Sequence, residues 1–191
     1  MSNTLVFVGG IRGSGKDFLT RDISLPKFYF YDILQESLEE SWDESEVKIG
    51  EKLLHLIKEH GEIVVLLHYA IPSESAYEDL LMNRYRDLSD SYNPCLTERM
   101  LDALPNTDFQ VILIYVDASV DRVIERSLRD EEKVRPRVSR QDLLRLKQAD
   151  ISAYRGIVEQ FQKRFSDVKS VYLFNNKEGY GRLDLESLTI H

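Results

Sequence analysis

Cysteine is almost missing from this sequence: Cys95 stands alone among 191 residues, so no disulfide can close within the chain. A single thiol points to a reducing compartment and to a small buried residue rather than a nucleophile. No Pro, Gly or Ser-rich linker, repeat or low-complexity tract divides the chain, whose length suits one ordinary domain over residues 1–191. No apolar run approaches the span of a bilayer, and the first residues lack the zones of a signal peptide, so the expectation is a cytoplasmic protein with no membrane partner. Positive charge is also in deficit, with 25 Lys and Arg against 33 Asp and Glu and a net charge of -8. That balance argues against a nucleic-acid partner, which demands many cationic phosphate contacts. A small anionic ligand stays open, because a few amides and arginines suffice to make a positive pocket.

What is present is a set of apolar runs separated by helical patterns, the sequence form of an α/β fold with a parallel sheet. Thr4 to Val8 reads as a first strand, Lys27 to Tyr31 as a second and Glu62 to His68 as a third. Phe109 to Val116 and Ser170 to Phe174 read as the last two. Continuous apolar runs of this kind fit strands covered on both faces. Helical stripes follow Ile49, Leu53, Leu56 and Ile57, then Val120, Val123, Ile124 and Leu128. A longer stripe runs through Leu143, Leu144, Ile151, Tyr154, Val158, Phe161 and Phe165, opened by a capping pair at Ser139 and Asp142. The acidic stretch from Glu36 to Glu46 reads as a solvated helix face. The irregular stretch about 70–95 reads as an inserted region that either binds substrate or covers the structure.

Between the first strand and the next helical segment, Gly10-Ile11-Arg12-Gly13-Ser14-Gly15-Lys16 fits the first seven positions of G-x-x-x-x-G-K-[ST], the Walker A pattern. Glycines let the backbone curl until successive N–H groups face a phosphate, and side chains there would block its approach. Lys16 adds a mobile charge for the terminal phosphates. Gly10, Arg12, Gly13, Ser14, Gly15, Lys16, Asp17 and Phe18 are therefore the candidate nucleotide-binding residues. Asp17 stands where a Ser or Thr normally holds Mg²⁺; as a hard oxygen ligand it becomes the candidate metal residue. Ser14 and Thr20 are at the wrong spacing for that hydroxyl role.

A second basic feature lies at about 126–138, where Arg126, Arg129, Arg135 and Arg137 cluster. Guanidinium forks suit phosphate oxygens, and such a segment can close over bound ligands as a lid. A solvated turn with Arg129 paired to Asp130 or Glu132 is the bland alternative.

With the loop, the Tyr31-Asp32 pair, His68 and the arginine cluster together, the sequence resembles the P-loop nucleoside monophosphate kinases, most closely archaeal-type adenylate kinases. The Gly15-Lys16-Asp17 form also resembles animal phosphomevalonate kinases and phage deoxynucleotide kinases. The resemblance implies a three-layer P-loop NTPase fold, a five-stranded parallel sheet in order 2-3-1-4-5 with helices on both faces. It implies ATP and Mg²⁺ as cofactors, transfer to a nucleoside monophosphate, and a nucleotide donor and small phosphate acceptor as partners. It assigns Lys16, Arg126, Arg135 and Arg137 to catalysis, with Arg155 as an additional phosphate contact. Asn176, in Asn176-Lys177-Glu178-Gly179, falls beside the nucleotide base, and Asp32, His68, Arg84 and Arg86 fall to the acceptor. Where that family carries an Asp before the histidine, this chain has Leu66, leaving Asp32 or Glu74 to take the magnesium-side carboxylate. Asp117 is expected to cap the helix begun at Val120. A kinase for another phosphorylated metabolite and a nucleotide-binding regulator without transfer are the alternative readings.

Overall fold

A computed structural model describes residues 3–39, 41–72, 92–105, 109–129, 139–175 and 183–190. In chain order the elements are β1 (Asn3–Gly9), α1 (Lys16–Leu19), β2 (Lys27–Tyr29), α2 (Phe30–Glu36), α3 (Trp42–His60), β3 (Glu62–Leu67), β4 (Ala70–Pro72) and β5 (Tyr92–Pro94). There follow α4 (Glu98–Asp102), β6 (Phe109–Asp117), α5 (Val120–Arg129), α6 (Arg140–Arg164), β7 (Asp167–Phe174), β8 (Leu183–Asp184) and β9 (Thr189–Ile190).

The central sheet runs β2-β3-β1-β6-β7, all parallel. Counted among its own members, that order is 2-3-1-4-5. The five-strand expectation omits two antiparallel ribbons, β4-β5 and β8-β9. The first ribbon joins the two ends of the expected insertion, Ala70 facing Pro94 and Pro72 facing Tyr92.

β1 lies at the centre, and alternation along it feeds two cores. Leu5 and Phe7 point to a layer that includes Leu53, Ile57, Met100, Ile157 and Phe161. Val6 and Val8 point the other way, with Leu19, Val64, Ile114 and Leu183. The register sets Gly9 opposite both Leu67 and Tyr115, so β1 and β3 end together where the glycine loop begins, while β6 runs on two residues to Asp117. Open α/β sheets place ligands at this carboxyl edge.

Three local readings change. β2 stops at Tyr29, and Tyr31-Asp32 form the first turn of α2, because Phe30, Ile33 and Leu34 recur at helical spacing and are buried. Leu128 and Leu144 are exposed rather than core. The buried stripe of α6 is Leu143, Leu146, Asp150, Ala153, Tyr154, Ile157 and Phe161. The acidic stretch is not wholly solvated: Ser41 caps α3 by accepting the Glu44 N–H, and Glu46 is buried beside Arg99. The Ser139 cap does form, accepting the Asp142 N–H at 3.1 Å.

Helix α3 meets α4 through Gly50, where a Cβ would lie 2.3 Å from the Met100 carbonyl oxygen. Alanine's better helix propensity favours Gly50→Ala by about 1 kcal/mol, but the backbone clash costs about 1–3 kcal/mol. Denaturant unfolding is expected to show a net loss; a gain would mean that the two helices separate freely.

Candidate functional site

The loop between β1 and α1 owes its shape to glycine. Gly10, Gly13 and Gly15 have φ of 147°, 80° and 94°. These values are costly for residues with a Cβ. Space excludes one as well: at Gly10 it would sit 2.3 Å from the Val116 carbonyl oxygen, and at Gly13 it would be 3.1 Å from Val123 Cγ1. The Ser14 N–H closes a turn on the Ile11 carbonyl at 3.0 Å. Lys16 is buried, and its Nζ donates to the Gly10 carbonyl at 3.2 Å, so its ammonium lies within the curl of the loop. Ser14 is fully buried, and its Oγ has no hydrogen-bond partner among the described residues.

The helix after the loop is only one turn long, Lys16–Leu19. A macrodipole sums over aligned peptides, so one turn contributes little. What this turn presents for an anion is therefore its amides and Lys16 rather than a helix dipole. The Thr20 hydroxyl donates to the Lys16 carbonyl at 3.0 Å, and Lys27 Nζ donates to the Thr20 and Arg21 carbonyls at 2.9 Å. Thr20 is thereby fixed to the end of the turn and does not take the hydroxyl role of a metal ligand.

Arg126, expected on phosphate, is placed behind the loop. It is buried, and its NH1 donates to the Gly13 carbonyl at 3.1 Å and the Ser14 carbonyl at 2.9 Å. Its NH2 reaches the Asn175 carbonyl at 3.3 Å. Asn175, also buried, donates Nδ2 to the Ser14 carbonyl at 3.0 Å, and its N–H bonds the Asp117 carbonyl at 2.7 Å. Taking the carbonyls from behind commits the loop's backbone to one orientation. Asn175 carries no sequence signal of this role, and the family resemblance points instead to Asn176, one residue further along.

Asp17 is exposed in the first turn of α1, and Asp32 is exposed in the first turn of α2. Both charges act on Tyr29 between them: burial, then Asp17, then Asp32 raise its hydroxyl above the usual phenol range. The candidate metal carboxylate thus has a second carboxylate nearby. No group of three metal-type ligands occurs among the described residues. Leu66 is core, packed with Val6 and Val64, and supplies no carboxylate.

His68 lies just beyond β3, at the carboxyl edge and half-buried. Burial, then the positive charges of Lys16 and Arg12, hold its imidazole well below the ordinary value of 6.5. His68, Lys16 and Arg12 are therefore electrostatic neighbours, and the histidine faces the loop as a neutral group. Asp117 does not cap α5. Ser119 does, its Oγ accepting the Arg122 N–H at 3.2 Å. Asp117 is buried at the end of β6, 2.6 Å from Lys147 Nζ, and accepts from the Tyr172 hydroxyl at 2.6 Å. Arg155 is exposed on α6, and its charge reaches Tyr172.

Arg84, Arg86, Glu74, Arg135, Arg137 and Asn176 lie outside the described residues. Among the rest, Gly10, Arg12, Gly13, Ser14, Gly15, Lys16 and His68 are gathered at one edge of the sheet, with Asp17, Phe18 and Asp32 on the adjoining turns.

No protein-family model and no curated protein matches the chain. Solved structures with a similar course include shikimate kinase from Acinetobacter baumannii in complex with shikimate, at 14% identity and TM-score 0.44, covering 94% of this chain and 87% of that one. Deoxyadenosine kinase from M. mycoides with products dCMP and a flexible dCDP bound is 12% identical, TM-score 0.40, over 87% and 89% of the two chains. An unliganded sugar kinase from Janibacter sp. HTCC2649 is 14% identical, TM-score 0.42, over 91% and 86%. Likeness this slight assigns neither an activity nor a substrate. No described helix is long and apolar enough to cross a membrane.

Two outcomes follow from this geometry. Arg126→Lys keeps the charge but loses the fork, and is expected to lower stability by about 2–3 kcal/mol in denaturant unfolding; an unchanged midpoint would show that the brace is idle. The unfolded chain protonates His68 near 6.5, whereas the folded protein resists that proton. This part of the stability is complete above 6.5 and is lost as pH falls. His68→Gln is therefore expected to lose less stability than wild type between about pH 7 and 5; equal losses would count against the assignment.

Proposed function

We propose that this chain is an ATP-dependent kinase, transferring a phosphoryl group from Mg-ATP to a nucleoside monophosphate within a single domain spanning residues 1–191. One observation carries the reading: a glycine-built loop at the carboxyl edge of a parallel sheet, curled around the buried ammonium of Lys16 and braced on its carbonyl side by Arg126 and Asn175. Transfer to a phosphate acceptor needs no protein nucleophile. It needs alignment of donor and acceptor, and cations along the developing charge.

In this reading the loop amides and Lys16 hold the donor phosphates, and Lys16 follows the charge as it moves. Arg126 and Asn175 are positioning residues that keep the loop amides available. A bound magnesium ion supplies charge neutralisation at the donor, and hard oxygen ligands suit it. Asp17 fits that requirement by chemistry and exposure, with Asp32 close to the same tyrosine. His68, neutral and beside Lys16, is suited to accept or donate a hydrogen bond to substrate without adding charge. Arg135 and Arg137 as lid cations, Arg84 and Arg86 as acceptor contacts, and Asn176 at the base complete the proposal.

Asp17 in the loop also supports a second reading, a kinase for another small phosphorylated metabolite, whereas Asp17 together with Leu66 in place of a carboxylate favours a nucleotide-binding regulator without transfer. Coupled ADP release against monophosphates and phosphorylated metabolites separates the two by which acceptor turns over. Lys16→Ala is expected to reduce turnover by at least about 100-fold with circular dichroism unchanged. Full turnover in that variant would remove the site. Mg-ATP binding with no transfer to any acceptor would convert the assignment to a nucleotide-binding regulator.

A further inference from the structure

Asn175 braces the loop from the end of β7, and a group outside the mechanism above holds Asn175 in turn. Its N–H donates to the Asp117 carbonyl at 2.7 Å. Asp117 is buried and closes β6, which outruns β1 by Val116 and Asp117. Two other elements grip its carboxylate. Lys147 Nζ of α6 lies 2.6 Å from Oδ1, an ion contact rather than an aligned hydrogen bond. The Tyr172 hydroxyl of β7 donates to Oδ2 at 2.6 Å. Lys147 also donates to the Ala118 carbonyl at 3.0 Å, and the Tyr172 ring stacks on Tyr115 of β6 with centroids 5.1 Å apart.

We propose that Asp117 is a positioning residue for the phosphate loop: Lys147 and Tyr172 fix its carboxylate, its carbonyl fixes Asn175, and Asn175 fixes the Ser14 carbonyl. The consequences for nucleotide binding rest on the kinase reading; the coupling of Asp117 to the loop does not.

A buried carboxylate is costly unless charge and hydrogen bonds compensate it. Lys147 and Tyr172 provide that compensation, which by itself accounts only for the burial. What points beyond stability is the course of the main chain beside the pair. Lys147 takes the Asp117 side chain and the Ala118 carbonyl together, so the peptide between those two residues has little freedom to turn. That peptide carries the carbonyl that receives Asn175. A peptide unit is planar and presents its N–H opposite its C=O. By holding the Ser14 carbonyl at 3.0 Å, Asn175 therefore sets the direction of the Gly15 N–H. The same strand end meets the loop a second time, because the Val116 carbonyl occupies the space beside Gly10 that a Cβ would need. The tip of β6 thus supports the loop at Gly10 and at Ser14. Further along α6, Asp150 Oδ1 accepts the Ala70 N–H at 2.8 Å, so the helix that holds Asp117 also ties the turn after β3.

The test is ¹H–¹⁵N NMR of the Asn175 side-chain amide and the Gly15 N–H in the nucleotide-free protein. Tyr172→Phe removes the hydroxyl but keeps a ring on Tyr115. Tyr154→Phe is the control: its hydroxyl bridges the Leu113 and Val171 carbonyls of the same two strands, at 3.3 and 3.0 Å, away from the loop. Tyr172→Phe is expected to shift both signals, and Tyr154→Phe to leave them in place. Signals that ignore Tyr172→Phe overturn the proposal, as do equal shifts in the two variants, which would mean general loosening. Asp117→Asn, which keeps the shape and loses the charge, is expected to move both signals further than Tyr172→Phe, and a smaller displacement overturns the proposal. Should Asp117→Asn fail to fold, Tyr172→Phe against its control decides. In calorimetry, Mg-ATP affinity is expected to fall about three- to tenfold in Tyr172→Phe and to hold in Tyr154→Phe; the reverse ranking overturns the proposal. Absence of any Mg-ATP heat in wild type instead overturns the kinase reading alone, since the NMR comparison needs no nucleotide.

Discussion

The shape of the site depends on where the carbonyls of Gly13 and Ser14 point. A peptide unit presents its N–H opposite its C=O, so a loop whose carbonyls are taken from one side offers amides to the other. Arg126 and Asn175 take them, and both reach the loop from elements remote in sequence, α5 and the end of β7. Without that fork, a glycine-rich loop would have a large conformational entropy to lose before it could bind anything. The brace makes the loop a preformed cradle.

The sheet supplies the other half of that pre-organisation. Because β1 and β3 are in register, the loop and His68 leave the sheet at one level, and β6 extends two residues past them to Asp117. Asp117 is tied to Lys147 of α6 and Tyr172 of β7, while its carbonyl receives Asn175. Helix α6 thus touches the site twice, through Lys147 near the tip of β6 and through Asp150 beneath the turn after β3. One long helix fixes both walls around the loop, and its apolar stripe anchors it to the core.

Much of this was legible in the sequence. The three inner strands followed from apolar runs because they are buried on both faces, whereas the edge strands β2 and β7 are partly exposed; the loop followed from glycine spacing between strand and helix. The errors arose where local and tertiary preferences compete. Phe30 looked like strand, but with Ile33 and Leu34 it forms the apolar side of a short helix. Arg126 looked like a phosphate ligand because a charged residue in a basic cluster reads as exposed; only the fold shows it folded back on the loop. Asp150 was legible in principle. A carboxylate at a core position between Leu146 and Ala153 is a costly exception to the stripe, and that exception is the signal of a residue with a specific partner. Asn175 carried no such signal, since its role depends on a loop 161 residues away in sequence.

The central claim is that preformed amides between β1 and α1 grip polyphosphate. The most direct measurement is ¹H–¹⁵N NMR of the loop glycines during titration with Mg-ATP. The account predicts large, saturable downfield shifts of the Gly13 and Gly15 amide protons, as expected for hydrogen bonds to phosphate, with the core strands undisturbed. Loop amides that stay in place at saturating Mg-ATP would contradict it.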